Sequence, residues 1–249
     1  MVNSLESIAR TLTDALGLSL PPVAVSFTDA VPNGVETFKG AVPAGCRFWQ
    51  EAATRVFATV PADHSLCSIG VYTHNLQGGP SYGADLQDSL KVFGDLGYVR
   101  QEDLPFIPVL SRDAKVVVYG PLAAAPATPD VALLFVRADQ ILILSEASQQ
   151  LENGLPPAMG RPACAVVPQA ANTGRTALSL GCCGARAYLD ALKPDLALYA
   201  VPGPALEAFT ERVAALVKAN SVLTAFHTLR RKDVEAGKRP SVKESLAAI

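Results

Sequence analysis

Apolar positions along this chain follow two rhythms, one helical and one strand-like. Leu5, Ile8, Leu12 and Leu16 recur at helical spacing. Asn3 and Glu6 ahead of them have capping-box spacing, and Gly17 offers a stop. Residues 23–27 (Val-Ala-Val-Ser-Phe) predict a strand, followed by a loop rich in Pro, Gly and Ala over 31–45. A helix is predicted over 48–60, a turn or short strand over 67–72, and a helix over 85–96. Strands are expected at 115–119, 131–136 and 196–201, with helices at 138–151 and 185–192. Leu206, Phe209, Val213 and Leu216 give 204–217 an amphipathic helical face; 221–236 reads as a further helix. Ser241 and Glu244 repeat the capping-box spacing near the end. Strands alternating with helices predict an α/β fold, with mixed α+β layering as the variant. The strand segments are apolar throughout, as strands buried on both faces are.

The chain also resembles itself. Pro21-Pro22-Val23-Ala24-Val25-Ser26-Phe27 and Pro129-Asp130-Val131-Ala132-Leu133-Leu134-Phe135 share the pattern P-x-V-A-x-x-F. Each is followed by a cysteine behind Pro and Ala: Pro43-Ala44-Gly45-Cys46, then Pro162-Ala163-Cys164. Each half then has a second cysteine site, Cys67 with Tyr72 behind it and Cys182-Cys183 with Tyr188 behind them. These matches predict one domain, 1–249, of two pseudo-symmetric halves, about 18–105 and 115–205, plus a helical segment over 204–249. Four cysteine sites would then meet near a pseudo-two-fold axis. The plainer alternative is that small residues and thiols fill equivalent core positions.

Hydrophobic residues make up 49% of the 249, enough for a substantial core. The net charge of -2, with no basic cluster longer than Arg230-Arg231-Lys232, argues against nucleic acid as a partner. No apolar run reaches transmembrane length, and Glu6 and Asp14 do not suit a secretory leader. The expectation is a cytoplasmic protein whose five cysteines are mostly reduced, so that they serve as buried thiols, ligands or a nucleophile.

Several stretches carry a resemblance to a known family. They are Leu18-Ser19-Leu20-Pro21-Pro22-Val23-Ala24-Val25, Cys46-Arg47-Phe48-Trp49-Gln50-Glu51-Ala52 and Asp63-His64-Ser65-Leu66-Cys67-Ser68-Ile69-Gly70. Tyr119-Gly120-Pro121-Leu122, Pro129-Asp130-Val131 and Gly181-Cys182-Cys183-Gly184-Ala185-Arg186 follow in order. Together, from about residue 10 to about residue 220, they resemble the domain of unknown function 169 family of prokaryotic proteins. That resemblance implies recurrent cysteines matching Cys46, Cys67 and Cys182, and an association with anaerobic metabolism. The internal alignment pairs Cys67 with Cys183, whereas the resemblance favours Cys182, and the two readings differ by one residue.

Thiolates are soft ligands that suit iron–sulfur clusters or zinc. The expected cofactor is an iron–sulfur cluster on Cys46, Cys67, Cys182 and Cys164, four-iron rather than two-iron. Cys46, Cys67 and Cys182 form the core metal set, and zinc is the alternative. Three ligands and an open iron suit catalysis, and four suit electron transfer or structure. Against any metal, no C-x-x-C pair is present. A nucleophilic cysteine is a competing reading, with His64 or His74 flanking Cys67 as base. His74 is the better-placed histidine; solvation explains His64, and His227 reads as surface or packing. Arg186 follows Gly184 into a helix, where it would fork onto an anion or pair with Asp190 one turn on. The Gly-rich 78–83 stretch matches no phosphate-binding fingerprint. Phe48 and Trp49 wall a cavity or fill the core.

The expected function is therefore a cysteine-ligated cofactor protein in redox or non-redox catalysis on a small anionic molecule, with His74 and Arg186 in catalytic roles. A redox partner protein and a homodimer are compatible with it. The competing class is a non-enzymatic binding or carrier module with packed or zinc-bound cysteines.

Overall fold

A computed structural model of the chain describes residues 4–76 and 84–249. The Gly-rich 78–83 stretch and Asn3 lie outside the described residues. Seven strands form one mixed sheet in the order β2-β3-β1-β4-β7-β6-β5. They are β1 (Val23–Thr28), β2 (Phe57–Thr59), β3 (Val116–Pro121), β4 (Val131–Val136), β5 (Ala158–Met159), β6 (Ala177–Ser179) and β7 (Ala197–Pro202). The helices are α1 (Leu5–Leu16), α2 (Arg47–Glu51), α3 (Ser68–Thr73), α4 (Ala84–Asp95), α5 (Ala138–Leu151), α6 (Val166–Thr173), α7 (Cys183–Tyr188), α8 (Leu206–Glu235) and α9 (Val242–Ala247). This is the α/β fold the pattern predicts.

The central strands are buried on both faces, and alternate residues divide between two cores. Ala24, Ala132, Leu134, Val136, Tyr199 and Val201 face α1, α5 and the first half of α8. Val23, Val25, Phe27, Tyr119, Leu133 and Leu198 face α2, α6 and the cysteine-bearing loops. The sheet thus separates a purely structural helical layer from the layer that carries the thiols.

Sheet order and register repeat about one point. At the centre Ala24 pairs with Ala132, flanked by Val23 with Leu133 and Val25 with Val131. Outward, β1 runs antiparallel to β3 from Val23↔Pro121 to Thr28↔Val116, and β4 runs against β7 from Val131↔Pro202 to Val136↔Ala197. Next, Phe57 meets Tyr119 on one side and Ala177 meets Ala200 on the other. The edges match too. Phe38 N donates to Ala58 O, and Gly160 N donates to Leu178 O, each at 2.7 Å. Pro121 and Pro202 each lead into a short 3-10 turn, Leu122–Ala124 and Gly203–Ala205.

Several local expectations change. The helix predicted over 48–60 stops after Glu51, and Phe57–Thr59 forms a strand, because these three fully buried residues complete the sheet beside β3. The turn or strand predicted at 67–72 is helix α3, opened by Cys67. α1 begins behind Ser4, whose side chain accepts from Ser7 N, and Gly17 closes it at φ 62°. The two late helices are one continuous helix, α8, and the Ser241–Glu244 capping box opens α9 as predicted. No helix among the described residues is long and apolar enough to cross a membrane.

Candidate functional site

Four loops converge on the α2–α6 side of the sheet, and each brings a cysteine. Cys46 precedes the first turn of α2. Cys164 sits in the 3-10 turn Ala163–Ala165 that runs into α6. Cys67 and Cys182 open α3 and α7, two six-residue helices that follow the matched strands β2 and β6. Cys67 and Cys182 thus hold the same place, each just ahead of its helix, whereas Cys183 is the first residue of α7. Cys182 Sγ caps α7 by accepting from Ala185 N at 3.4 Å.

All five thiols are free and line one cavity of about 910 Å³. Cys46 is buried, Cys67, Cys164 and Cys182 are half-buried, and Cys183 is exposed. Burial pushes the Cys46 thiol up to about 12, and Cys67 and Cys182 push it the same way. Burial also raises Cys67, against the backbone amides of Gly45 and Gly70, and raises Cys164 well above its usual value. Each of these shifts includes repulsion from other thiols of the group, so a charge on one is felt by the rest. Without a cation among them the buried thiols stay protonated, which weakens the reading of a free nucleophilic thiolate.

Two glycines give Cys67 its room. A Cβ on Gly70 would stand 2.8 Å from Cys67 Sγ, and one on Gly45 would stand 3.8 Å from that sulfur and 3.0 Å from His64 Nδ1. His64 is thus a neighbour of the thiol site, and the polar turn that suggested solvation is misleading: its ring is 1% exposed and packs 4.7 Å from Phe48. Its Nε2 lies 2.9 Å from Thr59 Oγ1, which itself donates to Val117 O. Nε2 therefore carries the proton and Nδ1 is a bare acceptor, without a partner among the described residues.

The two residues expected in catalysis are placed elsewhere. His74 is buried behind α3, with Nδ1 2.9 Å from Gly70 O and its ring 5.6 Å from Phe27, and it does not line the cavity. Arg186 donates to the carbonyls of Leu180, Leu192, Lys193 and Leu196, so its guanidinium ties the loop around α7 together instead of facing a ligand. Nor does it pair with Asp190, which is held by Arg47 at 3.0 Å. Phe48 and Trp49 are core. His227 lies on the far half of α8 against Phe226.

No three His, Cys, Asp or Glu side chains among the described residues are set to hold a metal ion. A single zinc needs sulfurs about 2.3 Å from the metal, so a preformed zinc site on Cys46, Cys67 and Cys182 is not what these loops present.

Fold and site together define an α/β protein in which a sheet of repeated register presents four cysteines to one cavity. The chain belongs to the domain of unknown function 169 family, described as uncharacterised ArCR, whose family model matches residues 11–212. No curated protein and no solved structure matches the chain.

Proposed function

We propose that this protein carries an iron–sulfur cluster on Cys46, Cys67, Cys164 and Cys182 and works on a small molecule held in the adjoining cavity. One observation carries the reading: four cysteines from four separate loops, two from each half of the sheet, line the same space. Matched placement of Cys46 with Cys164 and of Cys67 with Cys182 favours four ligands over three. A bound cluster would supply one-electron transfer or a Lewis-acidic iron. The chain's own contribution is to keep the sulfurs buried, to leave room for them at Gly45 and Gly70, and to wall the remaining space with apolar side chains. A redox partner would deliver electrons at the cavity mouth, where Leu66, Phe106 and Met159 are exposed. The reading implies a reducing compartment.

The competing reading, a binding module with packed thiols, is favoured by the burial that keeps the thiols neutral. Anaerobic purification and reconstitution separate the two. The cluster reading expects iron and acid-labile sulfide in near-equal amounts, with an electron-spin signal on reduction. It expects both to fall in each of four single Cys→Ser variants and to persist in Cys183→Ser. A chain that binds neither iron nor sulfide under these conditions is a thiol-lined binding module.

A further inference from the structure

The four thiols are only part of the cavity's lining, and much of the rest comes from a segment that breaks the sheet's repeat. In the second half α7 ends at Tyr188 and β7 begins at Ala197. In the first half α3 ends at Thr73 but β3 begins only at Val116. The extra chain supplies Phe93, Tyr98, Phe106 and Ile107 to the cavity wall. Phe106 is 83% exposed and Tyr98 50%, a large apolar surface turned to an open space. Met159 and Leu66 line the cavity beside them.

Charge is sparse on these walls. Arg100 is occupied by Asp103 at 2.7 Å and Glu102 at 3.5 Å. Arg161, three residues before Cys164, has no ion pair among the described residues. Its guanidinium donates to Tyr98 O at 2.7 Å and lies 5.8 Å from that ring's centre. Tyr98 thus holds the group at the rim, Asp103, which is paired with Arg100, feels its charge from further off, and most of its donors have no partner among the described residues. Such a cavity is largely apolar and of a size that takes small ligands, and among the described residues Arg161 is its one lining cation outside an ion pair.

We propose that the cavity binds an amphipathic monoanion: a molecule with an aromatic or hydrocarbon body and a single carboxylate or sulfonate. The body lies against the Phe93–Ile107 wall and the charge meets Arg161. The proposal rests on the reading that this cavity is the ligand site, and it deepens that reading by naming the ligand class. With apolar walls and Arg161 the one described lining cation outside an ion pair, a sugar or a diphosphate is poorly matched, because its remaining polar groups would be left unpaired.

Two dyes of similar shape test it on the full, cluster-free chain: 8-anilinonaphthalene-1-sulfonate and its neutral relative N-phenyl-1-naphthylamine, titrated by fluorescence. Arg161→Gln is expected to weaken the sulfonate about tenfold and to leave the neutral dye within about twofold, with part of the loss restored in Arg161→Lys. Phe93→Ala should weaken both dyes. Sulfonate binding that ignores Arg161→Gln, or a parallel loss of both dyes in that variant, overturns the proposal. Iron and sulfide analysis keeps the two readings apart. A chain that separates the dyes but takes up neither iron nor sulfide on anaerobic reconstitution refutes only the cluster, whereas one that takes up both with no dye discrimination refutes only the ligand class.

Discussion

At the scale of single residues, Gly70 is the most exposed to test. Its missing Cβ would fall 2.8 Å from Cys67 Sγ, a distance that forces the sulfur or the helix to move. Gly70→Ala should therefore lower iron per chain after reconstitution well below wild type, while far-UV circular dichroism stays unchanged. The histidines give a pH prediction. Burial lowers His64 to about 3 and His74 to about 4, while in the unfolded chain both titrate near 6.5. Below 6.5 the unfolded chain binds more protons than the folded one, so stability falls as pH drops towards 3. Urea midpoints should decline from pH 7 to pH 4, and His74→Phe should flatten part of that decline. The thiols were legible in the sequence through residue type and order. His64 was not, because Asp63-His64-Ser65 looks like a solvated turn until Phe48 is folded over it. Arg161 carries no pattern at all, although it stands directly before the Pro-Ala-Cys repeat.

Among the elements, the loop around α7 is held by Arg186 rather than built around a ligand. Its donations to four carbonyls, those of Leu192 and Leu196 part-buried and those of Leu180 and Lys193 exposed, give Arg186→Ala an expected cost of about 1–2 kcal/mol. Lys cannot span them, so Arg186→Lys should recover little of the melting temperature. Had Arg186 bound the ligand, its loss would have touched affinity and spared stability. Gly203 makes a second test: a Cβ there would lie 1.7 Å from Pro129 O, a clash with backbone that cannot turn aside. Gly203→Ala should lower the thermal midpoint by several degrees or prevent folding. The paired P-x-V-A-x-x-F segments revealed β1 and β4 directly, because strands buried on both faces leave an unbroken apolar signature. The outer strands β2 and β6, and the two-residue β5 beyond β6, were missed. β2 and β6 are three residues long, too short for any periodicity, and Phe57-Ala58-Thr59 continues what reads as a helical run.

Over the whole molecule, the family match ends at residue 212, close to where α8 leaves the body. Up to Val213 the helix buries Leu206, Phe209 and Thr210 on the sheet; beyond it only Phe226 is buried. Removing residues 218–249 should accordingly leave a cooperatively unfolding body whose midpoint falls by less than about 5 °C, checked by calorimetry. Layering and topology class followed from the order of apolar segments. The difference of about 34 residues between the halves, part of which lines the cavity, did not, since nothing in its composition marks it as a departure from the repeat.

The Ala24–Ala132 pairing also bears on how the chain is made. β1 emerges from the ribosome early, yet its neighbours β3 and β4 begin only at Val116 and Val131. Once β3 has appeared, the first half can close on itself, with one side of β1 still unpaired and waiting for β4. That open edge is the template on which the second half is laid down, and until then it is a sticky surface. The register centred on Ala24 has a further property: a three-residue segment that pairs about its own centre with a near-copy can pair in the same way with itself. A nascent chain that stalls just short of β4 is thus expected to dimerise through β1, with Val23 of one molecule against Val25 of the other, a by-product that should surface when translation is slowed within that window.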